Sequence, residues 1–265
     1  MDVKKWSEGV EVTDGVWAGI PNEVYHRLPH ASSSQLRRLE RSAAHMMAPS
    51  EPTQAMAFGS AVHAAVLEED LFEQTYYVKD WDGRTKEGKA RSEEVAHMTE
   101  LRPGEWDAVH GIVEALKADV NASKYLYGVE GLPELSMVGG GMRCRFDRYL
   151  TRHGIGVDLK TTQDARPEAF ARDAAKYGYH MQAYHYMRAH EAATGAPLKA
   201  FVFVAVEKVH PYGIGIYYFG PQTMQVAEEK HAGLLTKFSA AVNLQEFACY
   251  DTTPQELELP AWALR

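Results

Sequence analysis

Residues 142–160, MRCRFDRYLTRHGIGVDLK, decide the fold because they read as two strands joined by a short turn. Over residues 142–150 charged and apolar side chains alternate, which is the period of a half-buried strand. Residues 151–154 are polar and contain a glycine, and the alternation resumes over residues 155–160. The pattern predicts an antiparallel hairpin with its turn at residues 151–154.

Two aspartates fall opposite each other across this hairpin. With the turn centred between Arg152 and His153, paired residue numbers add to a constant, so Asp147 faces Asp158. Opposed residues share a face of the sheet, with Cβ atoms ~5 Å apart. Two carboxylates this close repel each other unless a cation lies between them, and their hard oxygens suit Mg²⁺. The alternative interpretation is a pair of turn-forming or solvated aspartates.

Two helices contribute further candidate residues. A helix predicted over residues 54–68 carries His63 beside its apolar stripe, where a lone histidine is usually a packed core residue. A second helix, predicted over residues 179–193, places Gln182 and Tyr186 four apart and therefore on one face. By themselves an amide and a phenol on a helix indicate no particular function.

Several motifs resemble one family of nucleases. Asp147, followed eleven positions later by Asp158-Leu159-Lys160, resembles the PD-(D/E)xK nuclease core. MAFGSAVH at 56–63 resembles the helix that carries a metal-binding histidine in RecB-like and exonuclease VIII (RecE-type) nucleases. YHMQAYHY at 179–186 resembles their Gln-x-x-x-Tyr motif. The order of these motifs, between the serines at 32–34 and LPAW at 259–262, identifies the chain as similar to the exonuclease VIII family.

The resemblance implies an Mg²⁺-dependent exonuclease, with Mn²⁺ as a possible substitute. It would degrade double-stranded DNA ends 5′ to 3′ and leave 3′ single strands for a single-strand annealing recombinase. The implied metal ligands are His63, Asp147, Asp158 and the backbone carbonyl of Leu159. Lys160 would position the attacking water, and Gln182 and Tyr186 would orient the scissile strand.

Two other functions are alternatives to this one. The first is a structure-specific or restriction-like endonuclease of the same superfamily. The second is a noncatalytic module that binds DNA ends or a protein partner. The presence of Asp147, Asp158 and Lys160 together favours an enzyme over a vestigial site.

The composition is that of an ordinary globular protein. The 265 residues are 45% hydrophobic and 24% charged, with no repeat or low-complexity tract, so one domain over 1–265 is expected. The first residues lack an apolar signal core, and no run of about eighteen apolar residues occurs, so no membrane association is expected. Two cysteines fit a reducing cytoplasm.

The net charge of −8 argues against a broad basic surface for nucleic acid. A protein of this charge would retain a DNA end by enclosing it, which predicts a homo-oligomeric ring or clamp.

The remaining elements complete an α/β fold, a central mixed β-sheet flanked by helices around a PD-(D/E)xK core. Residues 1–31 are predicted to be an extended flap and residues 243–265, with Trp262, a docked tail. Further helices are predicted over residues 35–47, 105–118, 167–175 and 223–242. Further strands are predicted over residues 71–78, 134–138, 200–208 and 214–219.

The sequence allows two interpretations of Glu134 and two of residues 79–91. Glu134 either completes the acidic site or ends the strand that precedes the hairpin. Residues 79–91, KDWDGRTKEGKAR, either grip a DNA strand through basic side chains and Trp81 or form a solvated loop.

Overall fold

A mixed β-sheet with helices on both faces forms the core of the protein. The computed structural model describes residues 1–49, 53–128, 130–260 and 263. The strands are β1 (Val3–Lys5), β2 (Gly15–Ala18), β3 (Tyr76–Val78), β4 (Thr99–Leu101), β5 (Gly131–Gly139), β6 (Met142–Leu150), β7 (Ile155–Thr162), β8 (Ala200–Glu207) and β9 (Ile214–Tyr217). Within the described residues, seven of them form one sheet in the order β1-β2-β5-β6-β7-β8-β9, and β3 pairs with β4. The predicted α/β class is confirmed.

The helices lie between the strands along the chain. They are α1 (Asn22–Arg27), α2 (Ser33–Leu39), α3 (Ala43–Met47), α4 (Gln54–Leu67), α5 (Glu69–Thr75), α6 (Lys86–Glu94), α7 (Pro103–Ala118), α8 (Val120–Leu126), α9 (Pro167–Tyr177), α10 (Tyr179–Thr194) and α11 (Pro221–Leu244). Of these described helices, none combines the length and the apolar composition needed to cross a bilayer.

Strand β8 shows how the helices divide between the two faces. Its residues alternate, as strand geometry requires. Val204 and Val206 pack in a cluster with α4, α7 and α8, whereas Phe203 and Ala205 pack in a cluster with α9 and α10. Both faces of β8 are therefore buried, as its nearly continuous apolar sequence predicts. Helices α4 and α10, which carry the candidate site residues, approach the sheet from opposite faces.

Side-chain caps determine where several helices begin. The Ser32 hydroxyl accepts a hydrogen bond from the Gln35 N–H and starts α2. The helix predicted over 35–47 is wrong as a single element, because the Ser42 hydroxyl accepts from the His45 N–H and starts α3. Gly178, in the left-handed conformation at φ 71°, separates α9 from α10, in agreement with the two helices predicted over residues 167–175 and 179–193.

Two predictions between α4 and α7 are wrong. Most of the strand predicted over 71–78 is helix α5, because Phe72 and Tyr76, four residues apart, stack with ring centroids 5.4 Å apart and Phe72 is buried. Only β3 remains extended. The loop predicted over 79–91 contains the start of α6, where the Thr85 hydroxyl accepts from the Gly88 N–H.

The N-terminal segment is part of the sheet. Residues 1–31, predicted to be a flap, contribute β1, β2 and α1, and β2 pairs antiparallel with β5. Val16 and Trp17 are buried, and their burial holds this edge in place.

Among its described residues, the C-terminal segment packs against the body over its first part. Phe247 packs against the cluster formed by α2, α3, α10 and α11, and the Tyr250 hydroxyl accepts from Arg41 Nε at 2.8 Å. Leu257 and Leu259 are 89% and 58% exposed, so the packing expected from their alternation is absent. Trp262 lies outside the described residues.

Candidate active site

Three acidic residues lie at one level on three neighbouring strands. Strand β6 pairs with β7 from Leu150–Ile155 to Arg148–Val157, and the next pair in that register is Asp147 with Asp158. This is the register predicted from the turn. Strand β5 pairs with β6 on both sides of the same level, and its register places Glu134 opposite Asp147. The β5–β6 ladder is interrupted for this one pair, whereas the β6–β7 ladder ends before Asp147 and Asp158, so β6 and β7 part and leave a gap where these two carboxylates lie.

The alternation of side chains between the two faces of β6 shifts by one residue after Phe146, and this shift directs Asp147 into the gap between β6 and β7. Phe146 and Tyr149 are three residues apart, yet both pack in the α10 cluster, with ring centroids 5.5 Å apart. The strict alternation predicted for residues 142–150 is therefore wrong beyond Phe146. Strand β5 changes phase at the same level, since Glu134 has a positive φ of 48°. Such a conformation costs a non-glycine residue ~1–3 kcal/mol and is common at functional sites.

The Asp147 carboxylate occupies the space between β6 and β7. Its Oδ2 accepts a hydrogen bond from the Leu159 N–H at 2.7 Å and lies 3.5 Å from Nδ1 of His63 on α4. Burial, opposed by His63 and reinforced by Asp158, raises the pKa of Asp147 to about 6. Because the N–H and C=O of one strand residue point to the same edge, the Leu159 carbonyl also faces this gap.

Asp158 and Lys160 form the opposite side of the gap. Asp158 is 2% exposed, and its Oδ1 accepts a hydrogen bond from the Gln182 amide of α10. Lys160 Nζ lies 2.5 Å from Oδ2 of Asp158, but at angles outside hydrogen-bond geometry. Burial opposes the charge on Lys160, yet Asp158 and Asp147 outweigh it and raise the pKa of the lysine. Lys160 is therefore a cation at neutral pH.

Glu134 borders the same site. Its side chain is 32% exposed, and Oε2 lies 3.9 Å from Nη1 of Arg145. Burial and the charge of Asp147, only partly offset by Arg145, raise the pKa of Glu134 to about 8. Strand β5 continues through this residue to Gly139, so the interpretation that Glu134 ends the strand is wrong.

A polar recess of about 350 Å³ adjoins the site on the α10 side. It is lined by Asn22, Tyr25, His26, Ser32, Ser33, Ser34, Arg143, Arg145, Gln182 and Tyr186. Arg143 is 2% exposed and donates hydrogen bonds to the Leu28 and His30 carbonyls. Arg143 therefore fixes the segment before α2 as one wall of the recess.

The donor types in the gap fit a divalent cation. Among the described residues no three His, Cys, Asp or Glu side chains are already gathered as a metal shell. The Asp147 and Asp158 carboxylates repel each other, which contributes to the raised pKa of Asp147. Asp158 Oδ2 is paired with the Lys160 ammonium at 2.5 Å, whereas burial and neighbouring carboxylates raise the pKa values of Asp147 and Glu134, so an added cation would stabilise the charged forms of these two acids. Carboxylate and carbonyl oxygens with one imidazole suit Mg²⁺ or Mn²⁺.

The structure brings together six of the seven residues that the motifs point to. They are His63, Asp147, Asp158, Leu159, Lys160 and Gln182. Tyr186 stands one turn beyond Gln182, with its ring edge-on to Phe146 at 5.2 Å, and lines the recess instead of the gap.

From the sequence, no role is predicted for two residues that lie at the site. Tyr179 has its ring 5.0 Å from Lys160 Nζ, and Arg145 pairs with Glu134. Arg145 precedes Asp147 by two residues on the same strand, and this spacing was a usable signal.

A family model described as a PDDEXK-like domain of unknown function (DUF3799) matches residues 32–251. The match spans most of the chain and every residue around the gap. The chain belongs to this PDDEXK-like family. Membership in the PDDEXK-like family agrees with the acids on β6 and β7 and with Lys160. The description of the family names no activity, so the narrower resemblance to exonuclease VIII stays a prediction.

Comparison with solved structures shows the same fold. A protein from Eubacterium rectale described as a candidate exonuclease is similar, with a TM-score of 0.63 and 17% identity over 92% of this chain and 96% of that chain. A phage-related exonuclease from Haemophilus somnus 129PT has a TM-score of 0.36 and 12% identity over 82% of this chain and 97% of that chain, which is too distant to support an argument. No curated protein matches the chain.

Proposed function

We propose that this protein is a divalent-metal-dependent nuclease that degrades double-stranded DNA from its ends. The observation that carries the proposal is the gap between β6 and β7, where the buried carboxylates of Asp147 and Asp158 lie beside the Lys160 ammonium and their repulsion helps to raise the pKa of Asp147. Membership in the PDDEXK-like family supports hydrolysis of a phosphodiester, and the recess beside the gap is lined by arginine and serine groups that suit a phosphate backbone.

The residues of the gap have separate roles in this proposal. Asp147, Asp158, the Leu159 carbonyl and His63 would hold the ion. Bound Mg²⁺ supplies Lewis-acid chemistry, in which the phosphate is polarised and the pKa of an attacking water is lowered. Lys160 is cationic beside Asp158, and from there it would orient the water and stabilise hydroxide.

Residues of α10 and β5 support the reacting groups. Gln182 holds Asp158 through Oδ1 and would orient the scissile strand together with Tyr186. Correct placement of this kind is a large part of catalysis at phosphorus. Glu134, at the level of Asp147 and reachable from solvent, is available as a further carboxylate.

The more specific proposal is an exonuclease VIII-type activity. The exonuclease description of the Eubacterium rectale neighbour points in this direction. Digestion would run 5′ to 3′ with Mg²⁺, or Mn²⁺ in its place, and leave 3′ single strands for an annealing recombinase. Because the chain carries a net charge of −8, we propose that a homo-oligomeric ring retains the duplex. Light scattering tests the ring, and a monomer that digests DNA processively would contradict it.

One assay separates this function from its alternatives. Linear duplex labelled at either the 5′ or the 3′ end, and a covalently closed circle, are incubated with the protein and Mg²⁺. We expect early release of the 5′ label, late release of the 3′ label and no attack on the circle. Cleavage of the circle would indicate an endonuclease. DNA-end binding without nucleotide release in any divalent metal would indicate a noncatalytic module. The Asp158→Asn variant controls for contaminating nucleases.

A further inference from the structure

Three near-parallel aromatic rings lead from the gap to the surface. Phe203, which pairs with Asp158 in the β7–β8 register, stacks on Tyr179 with ring centroids 5.6 Å apart and 23° between the planes. Tyr179 stacks on Tyr177 at 5.9 Å and 29°. The left-handed Gly178 joins α9 to α10 and lets the two tyrosines stand side by side. The stack is fixed at its inner end by the core and ends at Tyr177.

Tyr177 is an exposed ring with two cations beside it. The residue is 38% exposed. Lys176 Nζ lies 5.0 Å and the Arg37 guanidinium carbon 5.9 Å from the ring centroid. Arg37 Nη1 also donates to the Tyr177 carbonyl at 3.0 Å, so α2 fixes the end of α9. This hydrogen bond holds the backbone at Tyr177, and the Lys176 side chain is exposed.

The Tyr177 ring lies close to the Lys160 ammonium at the gap. Lys160 Nζ lies 5.0 Å from the Tyr179 ring, and Tyr177 is one ring further out. An exposed ring flanked by cations is the arrangement that takes up single-stranded nucleic acid, because bases stack on the ring and phosphates contact the cations.

We infer that Tyr177 is a stacking platform for a base of single-stranded DNA next to the site, with Arg37 and Lys176 contacting its phosphates. The inference rests on the proposed nuclease function and adds the substrate strand that this surface holds. Stacking does not depend on base identity, so the platform would accept any sequence.

The test measures binding of a fluorescent dT oligomer of about 12 nucleotides, in the range of known single-strand sites. The full chain is used in EDTA, so that hydrolysis does not consume the probe. We expect Tyr177→Ala to weaken binding roughly tenfold or more, because stacking contributes that much per base. Tyr177→Phe should bind like the unaltered protein. Tyr218→Ala, at a 77% exposed tyrosine, is the matched control and should have no effect.

A second arm separates stacking from a change in fold. Abasic positions in the oligomer should weaken binding to the unaltered protein but not to Tyr177→Ala. Unchanged affinity of Tyr177→Ala, or an abasic effect of equal size in both proteins, would overturn the platform. Digestion of linear duplex is measured in parallel. If the unaltered protein digests DNA while Tyr177→Ala binds the oligomer normally, the inference about Tyr177 is wrong and the proposed nuclease function is retained. If the unaltered protein neither binds nor digests, the nuclease itself is wrong.

Discussion

The two edges of strand β7 differ in how far they are paired. Toward β8, eight consecutive parallel pairs run from Ile155–Ala200 to Thr162–Glu207. Toward β6, the ladder stops after three pairs, and the Leu159 N–H is satisfied by the Asp147 carboxylate instead of a backbone carbonyl. The paired edge buries apolar side chains on both faces of β8, whereas the open edge collects carboxylates, an ammonium and an amide. The candidate site therefore lies where β6 and β7 separate, in a sheet whose strands are otherwise paired with their neighbours.

The largest expected effect lies at the open edge. Asp147→Asn, Asp158→Asn and Lys160→Ala should each lower the Mg²⁺-dependent rate of digestion about a thousandfold or more, because these groups act as one unit around the ion. Initial rates on end-labelled duplex measure the loss, and circular dichroism checks that each variant is folded. Substantial activity in any folded variant would remove that residue from the site.

The His63→Ala variant tests whether α4 contributes a metal ligand to the site at the open edge. Without its imidazole, affinity for the ion should fall by about 10- to 100-fold, as with other altered metal-site residues, and Mn²⁺ should restore more rate than Mg²⁺. A metal titration of activity for His63→Ala measures this. His231 is the matched control, since its Nε2 is hydrogen-bonded to His185 Nδ1 at 3.0 Å in the core. His231→Ala should lower thermal stability with an unchanged titration. The same result for His63→Ala would make His63 a core residue only.

A substitution at the paired edge should lower the stability of the protein and leave its activity unchanged. Val204 is fully buried on β8, and Val204→Ala removes apolar contacts and leaves a cavity. We expect the free energy of unfolding to fall by about 1.5–3 kcal/mol. Urea unfolding measures the loss, and the rate per folded molecule should stay within about twofold of the unaltered protein, since a factor of two is a small free-energy difference. A large loss of rate at unchanged stability would show that the two edges are not independent.

The smallest expected effect is a pH dependence of stability that arises from the carboxylates at the open edge. Since the pKa values of Asp147 and Glu134 are raised to about 6 and about 8, the metal-free native state binds more protons than the unfolded chain, where these groups titrate near pH 4. Their contribution therefore favours folding at low pH and is lost as the pH rises through those values. Glu134→Gln removes one of these charges and should raise the unfolding free energy at pH 8 by about 1 kcal/mol, with little change near pH 4.

Urea unfolding of metal-free protein at the two pH values measures this difference. The exposed Glu87→Gln is the control and should change neither value. A Glu134→Gln variant that is less stable than the unaltered protein at pH 8 would show that the carboxylate is not strained by its neighbours.

Much of the central hairpin could be predicted from the chain alone. The turn at residues 151–154 and the position of its centre are local properties, and they were sufficient to place Asp147 opposite Asp158. The apolar stripe of α4 and the helix break at Gly178 are likewise written in residues close together in the chain. The strand predicted over 71–78 was wrong because apolar residues in a short run fit a helix and a strand equally well, and packing of Phe72 against Trp106 on α7 decides between them.

The sequence by itself determined the hairpin register, the alternation up to Phe146 and the residue types at the gap, because each depends on neighbours within a few positions. Only the tertiary structure decided that β6 leaves β7 at Asp147, since that requires β5 to change phase at Glu134 on the next strand. It also decided that Arg143, which alternation places on the polar side of its strand, is buried and holds the segment before α2. Contacts between residues more than a hundred positions apart have no local signature, because the chain must fold before they exist.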